Sequence, residues 1–160
     1  MLLVVPALHA CRMARPANGQ VVLDVGAGGG AFAVAAALIG PGSHVVAVDS
    51  NQKAAAFIES VGAELGLANL SVRCERVESL QAELGASADI VGCRALADQL
   101  DSMRLIAPLV RTGGAALAWG TWVGAGGAGL GHEFADWGRR ACDLGEFAPG
   151  LGLLCLRRPM

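Results

Sequence analysis

The stretch from Gln20 to Ala31, which reads QVVLDVGAGGGA, decides the fold of this chain. Its apolar, β-branched run from Val21 to Val25 predicts a strand buried on both faces of a parallel sheet. Glycines at 26, 28, 29 and 30 follow at once, and helix formers come after them. A strand, a glycine turn and a helix in this order are typical of a nucleotide-binding loop, because a side chain in the turn would keep a ligand from the backbone.

Asp24 lies two residues before the first glycine, at the carboxyl end of the predicted strand. Ligands of open α/β sheets bind at this edge, so Asp24 and the glycines Gly26, Gly28 and Gly30 are candidate binding residues. A glycine pattern alone is weak, and a strand-to-helix turn without a ligand is the alternative interpretation.

Length and composition bound the remaining possibilities. The 160 residues suit one domain with a sizeable core, and only 16% of them are charged. The formal net charge is −2 with Lys53 as the one lysine, which argues against a broad polyelectrolyte surface. No apolar run is long enough to span a bilayer, so no membrane association is expected.

Cysteine and histidine usage indicates no metal site. The five cysteines form no CxxC pair, and the three histidines have no ligand spacing. Cys74, Cys93 and Cys155 lie in apolar, strand-like runs and are predicted to be buried, reduced thiols. The opening MLLVVPALHA lacks the preceding positive charge and cleavage site of a signal peptide, so it is interpreted as a helical stub, and the protein is expected to be cytoplasmic.

Apolar periodicity predicts alternating strands and helices along the chain. After the first helix, Ala31 to Ile39, the predicted strands are His44 to Val48, Leu70 to Cys74, Ala88 to Cys93 and Ala115 to Trp119. Ser50 is the predicted cap of a helix with Ala54, Ile58, Val61 and Leu65 on its apolar face and Gly66 at its end. A second helix face comprises Leu96, Leu100, Met103, Ala107 and Val110, closed by Gly113 and Gly114.

This alternation predicts an α/β fold with a doubly wound, mostly parallel sheet. The single domain spans 1–160, with the stub at 1–19, a cofactor-binding core at 20–120 and a tail at 121–160. In the tail we expect a glycine-rich loop from Trp122 to Gly131, a short helix within Glu133 to Ala141, and a last strand, Leu151 to Arg157, on an antiparallel hairpin.

The predicted sheet brings four features to one edge, because each follows a strand's carboxyl end. They are the glycine loop, Asp49, the pair Val77–Glu78, and Arg94. Asp49 follows Gly30 by about the distance at which an acidic side chain meets ribose hydroxyls. The alternative for Asp49 is an acid at the start of a helix that the helix dipole stabilises. The alternative for Glu78 is a solvent-exposed acid at the start of a helix, with no ligand. Arg94 ends an apolar strand, so it is expected to need a carboxylate or a ligand as partner.

The glycine loop by itself does not choose a cofactor. Gly26-x-Gly28-x-x-Ala31 satisfies the dinucleotide pattern, whereas Gly26-x-Gly28-x-Gly30 preceded by Asp24 fits an S-adenosylmethionine (SAM) loop equally well. Chain length favours SAM, since a dehydrogenase usually adds a substrate domain.

Later motifs carry a family resemblance. VLDVGAGGGAF, VVAVDSNQKAAAFI, RVESL and DIVGCRALADQLDSMRLIAPLVRTGGAALAWG resemble the RsmG (GidB) family of bacterial small-subunit ribosomal RNA guanine-N7 methyltransferases. The resemblance runs from about Gln20 to Gly120, and its RVES and CRAL segments are more specific than the glycine loop. It implies a class I SAM-dependent methyltransferase sheet, SAM as cofactor, and cofactor contacts at Gly26, Ala31, Val77–Glu78 and Arg94.

The chain departs from the family pattern where RNA or substrate would be held. Only Met1 to Gly19 precede the first strand, where family members carry a longer helical extension. The glycine loop continues with Ala31-Phe32-Ala33 in place of a bulky residue and Pro-Gly, a basic pair is reduced to Lys53-Ala54, and Trp119 replaces a usual lysine.

The expected function is therefore SAM-dependent methylation of guanine N7 in small-subunit ribosomal RNA, with no identifiable catalytic residue. A small-molecule or protein methyltransferase, a nicotinamide-binding module and a catalytically silent SAM-binding protein are the alternatives. RNA contacts are expected to be few and to use arginines outside the sheet core, which are Arg12, Arg15, Arg139, Arg140, Arg157 and Arg158.

Overall fold

The computed structural model describes residues 4–94, 99–121, 132–144 and 151–160. The helices are α1 (Val4–Ala14), α2 (Ala31–Ile39), α3 (Gln52–Glu64), α4 (Val77–Leu84) and α5 (Gln99–Ile106). The strands are β1 (Val21–Val25), β2 (His44–Val48), β3 (Leu70–Arg73), β4 (Ala88–Arg94), β5 (Val110–Thr121), β6 (Gly138–Asp143) and β7 (Leu151–Arg157). Single 3₁₀ turns lie at Ala107–Leu109 and His132–Phe134.

The described strands form one seven-stranded sheet in the order β3-β2-β1-β4-β5-β7-β6. Strands β1 to β5 pair in parallel, and β7 pairs antiparallel with both β5 and β6. The strand order reverses between β1 and β4, so helices leave these two strands on opposite faces of the sheet. Such a reversal opens a crevice at the carboxyl ends of the strands. The predicted doubly wound sheet and its antiparallel last strand are confirmed.

Alternating side chains of β1 divide the core into two layers. Val22 faces the layer that α1, α2 and Ile58 cover, whereas Leu23 and Val25 face the layer of α4 and α5. Helix α2 is apolar almost all round, because most of its surface, including Phe32 and four alanines, is buried against neighbouring elements. The stub before β1 forms helix α1, as predicted.

Small residues let α2 lie close to its neighbours. A Cβ on Gly92 of β4 would lie 2.5 Å from Cε1 of Phe32, and one on Gly30 would lie 2.8 Å from Cγ1 of Ile58. Gly30 also has a φ of 70°, which L side chains rarely adopt. Close packing here is therefore specified by missing side chains, and the Phe32 ring fills the space over Gly92 to meet Trp119, with centroids 5.2 Å apart.

The start and the inner face of α3 differ from the prediction. Asn51, not Ser50, caps the helix, because its side chain accepts from the backbone N–H groups of Lys53 and Ala54. The buried face comprises Ala55, Ile58 and Gly62, whereas Leu65 is 51% exposed. Only Ile58 of the predicted apolar set is buried, so the contact face is rotated by about one residue.

The predicted long helix before β5 ends early. Helix α5 stops at Ile106, and Val110 already pairs with Ala88 in the sheet. Pro108 favours this stop because it has no N–H to continue the helical hydrogen bonds. Residues 111–114 bulge opposite Asp89, so Gly113 and Gly114 belong to a strand and do not close a helix. Leu96 lies outside the described residues.

The tail holds a strand where a helix was predicted. Within Glu133 to Ala141, a 3₁₀ turn is followed by β6, which pairs with β7 from Gly138 to Asp143. The pairing with β7 outweighs the local helical pattern, because it gives these residues inter-strand hydrogen bonds and leaves β7 paired on both sides. The loop predicted from Trp122 to Gly131 and the turn at Pro149-Gly150 lie outside the described residues.

The prediction that three cysteines are buried is confirmed for two of them. Cys93 and Cys155 are buried in strands, as expected, and burial raises the pKa of the Cys93 thiol to about 12. Cys74 follows β3 and is exposed, so its prediction was wrong. Over the described ranges no helix is long and apolar enough to cross a membrane, and no three His, Cys, Asp or Glu side chains are grouped as metal ligands.

The packing of Phe32 over Gly92 yields a test of the core. Gly92→Ala should lower the free energy of unfolding by about 1–3 kcal/mol, the usual cost of overpacking, because the new methyl group overlaps a buried ring. Urea unfolding measures the loss. Adding Phe32→Leu to Gly92→Ala should cost less than the two single changes summed, since the shorter side chain vacates the site.

Gly29→Ala is the matched control, because a Cβ there meets nothing within 4 Å. An equal loss of stability at Gly29 and Gly92 would contradict the packing explanation.

Candidate cofactor site

The glycine loop between β1 and α2 is held in a conformation that needs glycine. Gly26, Gly28 and Gly30 have φ values of 66°, 55° and 70°. The backbone N–H groups of Gly26 and Ala27 both donate to the carbonyl of Val48, at 2.8 and 3.1 Å. Because Val48 ends β2, the loop is tied to the neighbouring strand and its outer surface is left open to the crevice.

Asp49 makes the second attachment of this loop. Its Oδ2 accepts from the N–H of Gly28 at 2.8 Å, and its Oδ1 accepts from the N–H of Asn51 at 2.8 Å. The carboxylate therefore joins the glycine loop to the start of α3. Each oxygen can accept a further hydrogen bond, so these contacts leave acceptor capacity for hydroxyl groups in the crevice.

Asp24 is a buried acid beside the loop. Its side chain is 2% exposed, and its Oδ2 accepts from the N–H of Ala33 in the first turn of α2 at 3.0 Å. Burial raises the pKa of Asp24 to about 7, and the charge of Asp49 acts in the same direction. The Ala33 hydrogen bond and the charge of Arg94 lower this pKa, but they do not offset the loss of solvation.

A cavity of about 360 Å³ opens at the carboxyl ends of the strands. The lining includes five of the predicted residues, which are Gly26, Asp49, Val77, Glu78 and Arg94. They come from the ends of β1, β2 and β4 and from the start of α4, as the edge argument from the sequence expected. The volume lies within the range of ligand pockets, about 300–1,000 Å³.

A smaller recess lies on the other side of the glycine loop. It is lined by Asp24, Ala27, Gly29, Ala31, Phe32, Arg94 and Trp119. Arg94 borders both spaces, and a Cβ on Gly28 would lie 3.7 Å from its Nη2. The predicted set therefore divides between two adjoining spaces, while Gly28 and Gly30 line neither of them. Gly28 faces Arg94, and Gly30 faces Ile58.

Arg94 is exposed, which corrects the expectation that its charge is buried at the end of the strand, while its contact with a ligand stays a prediction. No side-chain ion pair joins it to a carboxylate within the described residues. The guanidinium escapes burial because β4 ends at the crevice, where the side chain reaches solvent. Its charge still acts on Asp24 by lowering the pKa of that acid.

The structure adds lining residues that the sequence reasoning missed. Ser50, Glu75, Arg76 and Leu105 also border the larger cavity. Glu75 and Arg76 follow β3, so the rule that placed Val77–Glu78 could have found them. Leu105 comes from α5, and no local signal in the sequence connects that helix with the crevice.

A wider groove of about 540 Å³ follows α3 and the outer edge of β3. None of the predicted site residues lines this groove, and its walls are glycine and apolar side chains except for Glu59 and Ser71. The cavity of about 360 Å³ at the strand ends, with its carboxylates, guanidinium groups and glycine loop, is therefore the better candidate for a polar ligand.

Comparison with known proteins gives one family. Residues 3–121 match the family described as rRNA small subunit methyltransferase G (GidB). The chain is 44% identical over 115 residues to ribosomal RNA small subunit methyltransferase G of Burkholderia cenocepacia, covering 71% of this chain and 48% of the relative. The corresponding protein of Neisseria gonorrhoeae is 38% identical over 97 residues, covering 61% and 45%. This chain spans about half the length of these curated relatives.

Solved structures share the fold at low sequence identity. A precorrin-6y C5,15-methyltransferase from Geobacter metallireducens superposes with a TM-score of 0.76 at 12% identity, covering 95% of this chain and 87% of that one. An RNA methyltransferase from Salinibacter ruber in complex with S-adenosyl-L-homocysteine superposes with a TM-score of 0.72 at 17% sequence identity, covering 96% of this chain and 90% of that one. The fold is therefore that of the class I methyltransferases, as the resemblance implied.

The buried Asp24 predicts a particular dependence of stability on pH. The folded protein keeps a proton on Asp24 up to about pH 7, whereas the unfolded chain loses it near 3.8. The folded state therefore binds more protons between these values, and the contribution of Asp24 to stability falls as pH rises through this window, by up to about 4 kcal/mol.

Asp24→Asn should remove this decline, so the variant should exceed the wild type in stability more at about pH 8 than at about pH 5. Urea unfolding at the two pH values measures the difference. The exposed Asp136→Asn is the control and should give the wild-type pH dependence. A constant difference between Asp24→Asn and wild type at both pH values would contradict the assignment.

Proposed function

Because this chain belongs to the rRNA small subunit methyltransferase G family, we propose that it binds SAM at the glycine loop and methylates guanine N7 in small-subunit ribosomal RNA. The observation that carries the proposal is the cavity where the glycine loop, Asp49, Val77–Glu78 and Arg94 meet. A role on the small subunit further implies a cytoplasmic protein.

The residues present fit SAM in their chemistry. Asp49 keeps acceptor capacity for the ribose hydroxyls while it holds Gly28 in place. Asp24 and Arg94 line the recess beside the loop. A bound ammonium group would favour the ionised form of Asp24 and Arg94 offers a cation, which suits the two charged groups of the cofactor's amino-acid end. Gly26, Gly28 and Gly30 shape the loop between these groups, and Ala31 lines the recess without filling it.

The proposed reaction asks for positioning more than for acid or base catalysis. Bound SAM supplies a methyl group that the adjacent sulfonium already activates. Guanine N7 carries a free lone pair, so no side chain of this protein has to remove a proton from it. The protein's contribution is then to hold the base in line with the methyl group, which lowers the barrier by several kcal/mol. This agrees with the lack of an identifiable catalytic residue.

A second candidate, methylation of a small molecule or a protein, is favoured by the charge of the cavity. Asp49, Glu75 and Glu78 line it against Arg76 and Arg94, so its carboxylates outnumber its guanidinium groups. An acidic cavity repels RNA phosphates, although it tolerates a neutral base that enters alone. A silent SAM-binding protein and a nicotinamide-binding module are further outcomes that the following experiment separates.

Calorimetric titration with SAM and with NADH distinguishes the cofactor classes, and we expect binding of SAM alone. Methyl transfer from labelled SAM is then measured on small ribosomal subunits and on naked small-subunit RNA, with the product mapped at guanine N7. Transfer to either RNA supports the proposal. Binding of SAM without transfer to either RNA would favour the small-molecule, protein or silent alternatives, and binding of NADH alone would overturn the assignment of the cofactor.

Asp49→Ala should weaken SAM binding by about 2–4 kcal/mol, because it removes an acceptor of charge-assisted hydrogen bonds. Isothermal titration measures the affinity, and circular dichroism checks the fold. Asp49→Asn should retain part of the affinity, since the amide oxygen can still accept from Gly28. The control Asp136→Ala changes an exposed carboxylate near β6 and should bind SAM as the wild type does. Wild-type affinity in Asp49→Ala would remove Asp49 from the site.

A further inference from the structure

Two arginines lie next to each other on the edge of the sheet formed by β6 and β7. Arg140 of β6 pairs with Cys155 of β7, and Arg157 follows Cys155 by two residues on the same face. The β6 residue opposite Arg157 is Gly138, which places no side chain beside it. Diagonal neighbours in antiparallel strands are about 7–8 Å apart, within reach of side chains as long as arginine.

Both arginines act on the same buried sulfur. Burial raises the pKa of the Cys155 thiol, and the charges of Arg157 and Arg140 each lower it. Their positive charges therefore lie close to one atom and reinforce each other, while both residues are exposed to solvent.

Carboxylates pair with other arginines of the chain. Arg73 contacts Glu75 and Glu83, Arg104 contacts Asp101, and Arg111 contacts Asp89. Within the part of the chain that the structure describes, no such ion pair joins Arg140 or Arg157 to a carboxylate. These two guanidinium groups keep their charge and their hydrogen-bond donors available to an outside anion.

Arg157 lies at the end of the sheet opposite the cofactor cavity, and Arg140 lies nearer the middle of the sheet, because its partner Cys155 pairs with Leu117 of β5. Arg157 pairs with Ala115, whereas Trp119, at the crevice end, lies four residues further along β5, or about 13 Å at the rise of a strand. Arg12 and Arg15 reach the same end, because the chain leaves the last turn of α1 there to enter β1. Asp136, four residues before Arg140, and Asp143, three residues after it, are the acids nearest to Arg140 in sequence.

We propose that Arg140 and Arg157 form a phosphate-binding surface for ribosomal RNA on the β6–β7 edge of the sheet, outside the cofactor cavity. The inference rests on the proposed function and says where the RNA backbone is held. Guanidinium groups match phosphate oxygens in a planar, two-pronged geometry. The chain is acidic overall and its cavity is rich in carboxylates, so attraction to a polyanion concentrates at this basic edge. Base selection and backbone binding then take place on separate surfaces.

The test is a salt series of RNA binding by the full chain with saturating SAM, using a transcript of small-subunit ribosomal RNA. We expect a shallow wild-type slope of about −2 to −4 in log K against log salt, as few phosphates are neutralised. Arg140→Gln and Arg157→Gln should each reduce the slope by about 0.7–0.9. The double variant should bind roughly 25- to 60-fold more weakly at about 0.1 M salt.

Arg104→Gln is the matched control, because it removes one exposed positive charge from α5 and leaves this edge intact. It should keep the wild-type slope, and all variants should keep the wild-type affinity for SAM and the wild-type melting temperature. A double variant with the slope of the Arg104→Gln control would overturn the inference and leave the proposed function standing.

Two other results also overturn the inference. Tighter binding of the wild type to polyglutamate than to RNA would make the surface a site for an acidic protein. If the wild type binds SAM but binds neither the transcript nor the small subunit, the proposal that RNA is the substrate is contradicted as well. If the wild type does not bind SAM, the proposed function is contradicted at its cofactor. Failure of the proposed function is thereby distinguished from failure of the inference about Arg140 and Arg157.

Discussion

The hydrogen bond from the Gly28 N–H to the Asp49 carboxylate, 2.8 Å long, is the contact on which the site depends. It closes the glycine loop against β2, and the other oxygen of the same carboxylate accepts from Asn51, which caps α3. One side chain thereby positions the loop before α2 and the start of α3. Because a charged acceptor makes a stronger hydrogen bond than a neutral one, this loop is held in shape before any ligand arrives.

Burial of Asp24 opposes stability in the same region. A carboxyl group that is 2% exposed and has a pKa of about 7 costs free energy at neutral pH, and an apolar residue of similar size would avoid this cost. Arg94 and the Ala33 N–H offset only part of it. Retaining a poorly solvated acid beside a glycine loop is typical of a site arranged for a ligand with a positive group, since such a ligand would compensate the carboxylate when bound.

Much of the candidate site was predictable, because strand ends are local features of the sequence. Apolar runs that stop at Val25, Val48 and Cys93 place the following residues at one edge once the strands are parallel. The division of these residues between two spaces around the loop was not predictable, and neither was the contribution of Leu105 from α5. Both depend on how helices pack over the sheet, which sequence periodicity does not report.

The sequence by itself determined the elements whose stability is local. Strands β1 and β2 and helix α2 have the predicted bounds, because each is an apolar run that a turn-forming or polar residue ends, namely Gly26, Asp49 and Gly40. The end of α5 and the identity of β6 were decided by tertiary structure. Val110 joins β5 because Ala88 of β4 offers a partner, and Gly138–Asp143 extends because β7 does. Such partners lie 9 to 22 residues away. A strand gains its hydrogen bonds only after the sheet has assembled, so no short window of sequence contains the information.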